Sequence, residues 1–113
     1  MREKFILNTL LEAGEVIWKP HGNSMAPRIN SGDQVKLIST KDLLLQTNDI
    51  VYAKVKGSYY LHLLTAIDED RYQISNNHGY VNGWVSRDKV FGICVQVKDK
   101  ILLSETDLNS RRI

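Results

Sequence analysis

Cysteine is nearly missing from this chain of 113 residues: Cys94 has no second cysteine to pair with. A disulfide framework is thereby excluded, which suits a reducing, cytoplasmic compartment. The neighbours of Cys94 in Val90-Phe91-Gly92-Ile93-Cys94-Val95 are apolar, so its thiol is expected as a small buried hydrophobe. Long hydrophobic runs are missing too, and none approaches the roughly 20 residues of a membrane span. Glu12 and Glu15 interrupt the N-terminus too early for a secretory signal. The expectation is therefore a chain with no membrane partner. Charge of one sign is scarce, with 15 Lys and Arg against 13 Asp and Glu, a net +2. So small an excess gives no electrostatic ground for direct nucleic-acid binding. His21, His62, His78 and Cys94 fit no zinc spacing, and there is no Gly-rich phosphate loop. Neither a metal nor another cofactor is expected.

What remains is ordinary globular composition, 42% apolar and 25% charged. The length suits one domain, residues 1–113, with a modest core. Its organisation reads as an N-terminal helix over 1–14, a β core over 15–98 and a polar tail over 99–113. Phe5, Ile6, Leu7, Leu10 and Leu11 recur at helical spacing and stop at Gly14. Ala13-Gly14 reads as the helix C-cap. Short β-rich runs follow at 16–18, 34–38, 50–55, 58–63, 71–75 and 90–97. Lys56-Gly57 supplies a tight turn that makes a hairpin of the third and fourth. Asn76-Asn77-His78-Gly79 is a loop by composition. The segment from Ser104 onward reads as disordered or a short helix. Many short strands with turn signals predict a mainly β, barrel-like fold.

The segment that carries chemistry is His21-Gly22-Asn23-Ser24-Met25-Ala26-Pro27-Arg28, with Ser31-Gly32-Asp33 close behind. Gly and Pro bracket a hydroxyl, so the chain bends sharply and holds Ser24 outward. Asp33 shapes the turn that follows. A Ser hydroxyl is a weak nucleophile until a base lies within hydrogen-bond reach. His62, in the alternating run Tyr60-Leu61-His62-Leu63-Leu64, is the candidate base, because neutral imidazole accepts a proton near pH 7. Taken singly, Ser24 is equally a turn residue and His62 a hydrogen-bonded strand histidine. The residues that would orient His62 are Asn82 or Asp88, with Asp68 a further carboxylate, although both acids also read as plain loop residues. An amide is chemically able to orient an imidazole. Main-chain N–H groups of Ser24 and Met25 are the candidate oxyanion donors.

Five short signatures occur in order: Gly22-Asn23-Ser24-Met25-Ala26-Pro27, Gly32-Asp33-Gln34-Val35, Asp49-Ile50-Val51-Tyr52, Tyr60-Leu61-His62-Leu63 and Phe91-Gly92-Ile93-Cys94-Val95. Together they resemble the LexA, UmuD and type I signal peptidase superfamily of serine peptidases, over roughly residues 15 to 97. The resemblance implies a complex β-barrel fold with a short N-terminal helix. It also implies a soluble serine endopeptidase with a Ser24/His62 dyad, acting on a protein or peptide substrate at a small-residue site. Gly22, Pro27, Gly32 and Asp33 would be its structural motif residues. The chain departs from the family pattern in three places. His62 stands where most bacterial members have Lys, and Leu63 follows it. Asn48-Asp49 replaces Gly-Asp. The stretch 74–82 carries no acid. These departures keep a second function open, a non-catalytic peptide- or protein-binding module on the same fold, dimeric or regulatory in the manner of UmuD. About 20 residues precede the Ser motif, too few for a LexA-type helix-turn-helix.

Overall fold

The computed structural model describes residues 2–113. Helix α1 (Arg2–Ala13) buries only Ile6 and Leu10 of its expected apolar set, one turn apart, and leaves Phe5 and Leu11 exposed. Gly14 N donates to Leu10 O and ends the helix as expected.

The strands are β1 (Glu15–Trp18), β2 (Val35–Ser39), β3 (Ile50–Val55), β4 (Ser58–Asp68), β5 (Arg71–Ser75), β6 (Val81–Ser86), β7 (Val90–Val97) and β8 (Lys100–Ile101). A 3-10 turn, Arg87–Lys89, joins β6 to β7, and helix α2 (Glu105–Ser110) follows β8. All pairings are antiparallel and belong to one sheet, in the order β1-β2-β7-β3-β4-β5-β6, with β8 paired to β7. The expected barrel closure is corrected here: among the described residues the end strands β1 and β6 do not pair with each other, so the sheet is open.

Strand β3 shows why these residues choose β structure. Ile50 and Tyr52 point into one hydrophobic cluster, with Ile6, Leu10, Met25, Ile29, Leu37 and Leu61. Val51, Ala53 and Val55 point into the other, with Leu64, Ile74, Ile93 and Leu108. A strand buried on both faces has no room for polar alternation, and β3 has almost none. The turn from β3 to β4 uses Lys56 at φ 52° and Gly57 at φ 85°. Two successive left-handed residues form the hairpin turn whose twist matches the strands, and glycine adopts this conformation without a Cβ penalty.

One strand was left unassigned by the sequence reading, and the tail takes the second of its two expected forms, a short helix. Val81–Ser86 is a full strand, paired along β5. The tail holds α2, whose Ser104 and Asp107 form a reciprocal capping box. Leu108 of α2 is buried in the second cluster.

Candidate active site

The bend that carries Ser24 is closed by its own backbone. Gly32 N donates to Pro20 O at 2.8 Å, and Gly22 N donates to Ser31 Oγ at 3.1 Å. Asp33 Oδ2 accepts from Asn30 N at 2.8 Å, the turn-shaping bond expected of it. Met25 and Ile29 drop into the first hydrophobic cluster and anchor the bend from beneath. Pro27 follows a cis peptide bond with Ala26.

On β4, alternation places His62 on the same face as Tyr60 and Leu64, and its ring stacks on Tyr60 at 4.8 Å between centroids. His62 Nε2 lies 3.0 Å from Ser24 Oγ, and its Nδ1 lies 2.7 Å from Asn82 Oδ1. The polarity of this chain follows from chemistry. An amide oxygen only accepts, so Nδ1 carries the proton. Nε2 is left with its lone pair toward the Ser24 hydroxyl, which donates. His62 is buried, and loss of solvation holds its pKa below the ordinary histidine value, partly offset by the bond to Asn82. The ring is therefore neutral at pH 7, the form able to take a proton.

Asn82 reaches His62 through a sheet irregularity. Ile74 pairs with Gly83 and Ser75 with Val81, so Asn82 is the extra residue of a β-bulge in β6. A bulge turns one side chain out of the regular alternation, and here that side chain meets the ring. Of the two orienting candidates, the structure thus brings Asn82 to His62 and leaves Asp88 elsewhere. Asp88 sits in the 3-10 turn, where its carboxylate accepts from the Ser86 hydroxyl, which holds its pKa below the usual range. Asp68 ends β4 opposite Arg71.

Sequence reasoning missed a brace formed by the β5–β6 loop. Asn77 N donates to Ser24 O at 2.8 Å, Asn77 Nδ2 donates to Ala26 O at 2.9 Å, and Arg28 Nε donates to Asn77 Oδ1 at 2.7 Å. His78 Nε2 adds a bond to Asn23 O at 2.9 Å. Asn76 Oδ1 in turn accepts from the backbone of His78 and Tyr80 and stiffens the loop. The signal was the Asn76-Asn77 pair, since Asn side chains bond nearby backbone readily.

Three features complete the surroundings. Among the described residues, no acceptor pairs with the main-chain N–H of Ser24 or Met25. Strand β5 pairs with β4 only from Leu63 onward, so Ser58–His62 is flanked by β3 alone. A cavity of about 320 Å³ opens beside Ser24 and His62 and extends to Trp18 and Tyr52. Cys94 plays no part: it is buried, and burial pushes its thiol up to about 12.

A scan of protein-family models and a search of curated proteins found no match to the chain. Among the described residues, no three His, Cys, Asp or Glu side chains gather as metal ligands, and no helix is long and apolar enough to cross a membrane.

Proposed function

We propose that the protein is a serine endopeptidase of the LexA and signal-peptidase type, with Ser24 as nucleophile, His62 as general base and Asn82 as the residue that orients the ring. The observation that carries this is the line of contacts from Ser24 Oγ through His62 to Asn82, at 3.0 Å and 2.7 Å. The fold gives further support. The nucleophile sits on a bend ahead of β2 and the base on a hairpin strand, in the order the five signatures lead one to expect.

Catalysis begins with a peptide extended along the unpaired edge of Ser58–His62, as an added strand. Ser24 Oγ attacks the scissile carbonyl carbon while His62 Nε2 takes the hydroxyl proton. The carbonyl oxygen becomes an oxyanion held by the main-chain N–H groups of Ser24 and Met25. His62 then gives its proton to the leaving amine, and the C–N bond breaks. A water molecule, deprotonated by the same imidazole, releases the acyl group and restores Ser24.

A second function, a non-catalytic peptide-binding module, draws support from Asn82 itself. A neutral amide fixes the ring but offsets none of the charge of an imidazolium, as a carboxylate would. A fluorophosphonate probe separates the two. Under the peptidase proposal Ser24 is labelled in the natural protein and Ser24→Ala is not. His62→Ala slows labelling by about 10²–10⁴-fold with the fold retained by circular dichroism. Absence of labelling in the natural protein would leave the binding module.

A further inference from the structure

Proton transfer from Ser24 turns His62 into an imidazolium at a place with little to offset its charge. His62 is 6% exposed, and its two hydrogen-bond partners are a hydroxyl and an amide, both neutral. The charged and titratable groups of the neighbouring elements are engaged elsewhere. On the bend, Arg28 Nε bonds Asn77, and His21 Nδ1 lies 3.5 Å from Ser31 Oγ. On the β5–β6 loop His78 bonds Asn23 O, and on β3 the ammonium of Lys54 lies over the Tyr59 ring. Lys56 of the β3–β4 turn lies against Gly83, and the charge of Glu3 on α1 acts on the Tyr52 hydroxyl. What does lie against His62 is the face of Tyr60, with the ring centroids 4.8 Å apart and the planes 29° from parallel. Residues two apart on a strand share a face, so β4 itself sets the two rings side by side. Tyr60 also packs against the second hydrophobic cluster, which holds its ring in place.

We propose that Tyr60 is a positioning residue for the reaction: its ring face fixes the plane of His62 and stabilises the imidazolium formed when Ser24 gives up its proton. The inference rests on the peptidase proposal for the reaction, but not for the contact between the rings. An aromatic face carries negative charge density. A cation within about 6 Å of its centroid is attracted to it, most strongly away from water. A neutral imidazole gains far less from the same face. The contact thus strengthens as the proton arrives, and only interactions that gain strength in the transition state speed the chemical step. Asn82 holds the edge of the ring and Tyr60 its face. Tyr60 thereby does part of what a carboxylate in place of Asn82 would do.

The test uses the full chain with two replacements at position 60. Tyr60→Phe keeps the aromatic face, and trifluorophenylalanine keeps its shape while withdrawing charge from it. His62 is titrated by NMR through its ring protons. Fluorophosphonate labelling of Ser24 is timed where His62 is neutral in both variants. The expected result is a His62 pKa lower in the trifluoro variant than in Tyr60→Phe by about 0.5–1 unit. Labelling should be slower in the trifluoro variant by about threefold to tenfold. The two rings pack alike, so a merely structural role would move neither reading between them. A His62 pKa equal in the two variants, or a lowered pKa with unchanged labelling, overturns the proposal. Labelling of the natural protein separates this failure from that of the peptidase. Where the natural protein is labelled and the two variants do not differ, the role of Tyr60 alone is lost. Where nothing is labelled and the pKa difference is present, the peptidase proposal is lost and the contact between the rings stands.

Discussion

His62 is asked to be neutral and correctly protonated, and one neighbour decides each property. Burial keeps the ring neutral, and Asn82 keeps the proton on Nδ1. Because the pKa lies below the ordinary histidine value, Ser24 labelling should fall on the acid side at a lower pH than an ordinary histidine would dictate, as Nε2 gains a proton and ceases to accept. Asn82→Asp changes the sign of the argument. A carboxylate at the same bulge position favours imidazolium, so the His62 pKa should rise by about 1–3 units. The acid limb of the labelling profile should move up with it. Titration of the His62 ring protons by NMR reads the shift directly, without any substrate. A His62 pKa unchanged in Asn82→Asp would mean that the side chain at 82 does not face the ring in solution.

The elements differ in how plainly their residues announce them. The hairpin β3–β4 was legible because Lys56-Gly57 has one favoured geometry and the flanking runs are rich in β-branched and aromatic residues. Ser24 and His62 were legible as chemistry, although 38 positions separate them, because each sits on an element with a clear local signature. Strand β6 was not. Asn82-Gly83 interrupts the run of β-forming residues Val81, Trp84 and Val85, so no strand pattern stands out. Gly83 holds a φ of 150°, which strains any side chain, and a Cβ there would also crowd Val55 Cγ1 at 3.1 Å. Local sequence does not encode that approach. For the same reason the choice of Asn82 over Asp88 was open, since it depends on a bulge that only pairing with β5 creates. The β5–β6 loop reads as a clamp on the bend that carries Ser24. Asn77→Ala removes the side-chain bonds to Ala26 O and Arg28 but keeps the main-chain bond to Ser24 O. Misplacing a nucleophile slightly costs far more rate than stability. Labelling of Ser24 should therefore slow about tenfold or more, while the melting temperature falls by no more than about 5 °C. An unchanged labelling rate would show that the bend holds Ser24 unaided.

The two ends of the chain close opposite clusters of the core. Helix α1 covers the first cluster with Ile6 and Leu10, and α2 covers the second with Leu108. The C-terminal segment, read from its polar composition as disordered or a short helix, is tied at several points to the connection between β2 and β3. Leu44 N donates to Arg111 O at 2.7 Å, and Ile113 N donates to Asp42 O at 2.9 Å. Arg111 Nη1 donates to Asp49 Oδ2 at 2.7 Å, with the two side chains only 11% and 6% exposed. Asp49 precedes β3, the strand buried on both faces, and its Oδ2 also accepts from Gln46 N at 2.8 Å. One carboxylate thus joins the tail, a turn and the central strand. The partners are 62 positions apart, so no local pattern predicts the pair. Removing the guanidinium would leave the carboxylate buried and uncompensated, a change that costs about 3–5 kcal/mol. Arg111→Ala should lower the unfolding free energy in urea by about that amount. Asp49→Asn in the same chain should recover part of the loss, because the amide carries no charge and its oxygen still accepts from Gln46 N. A loss below about 1 kcal/mol would be that of an exposed pair and would mean that the tail lies on the surface rather than completing the core. Ser24 labelling in Arg111→Ala, measured well below the unfolding midpoint, should match the natural protein, since the ion pair makes no contact with Ser24, His62 or Asn82.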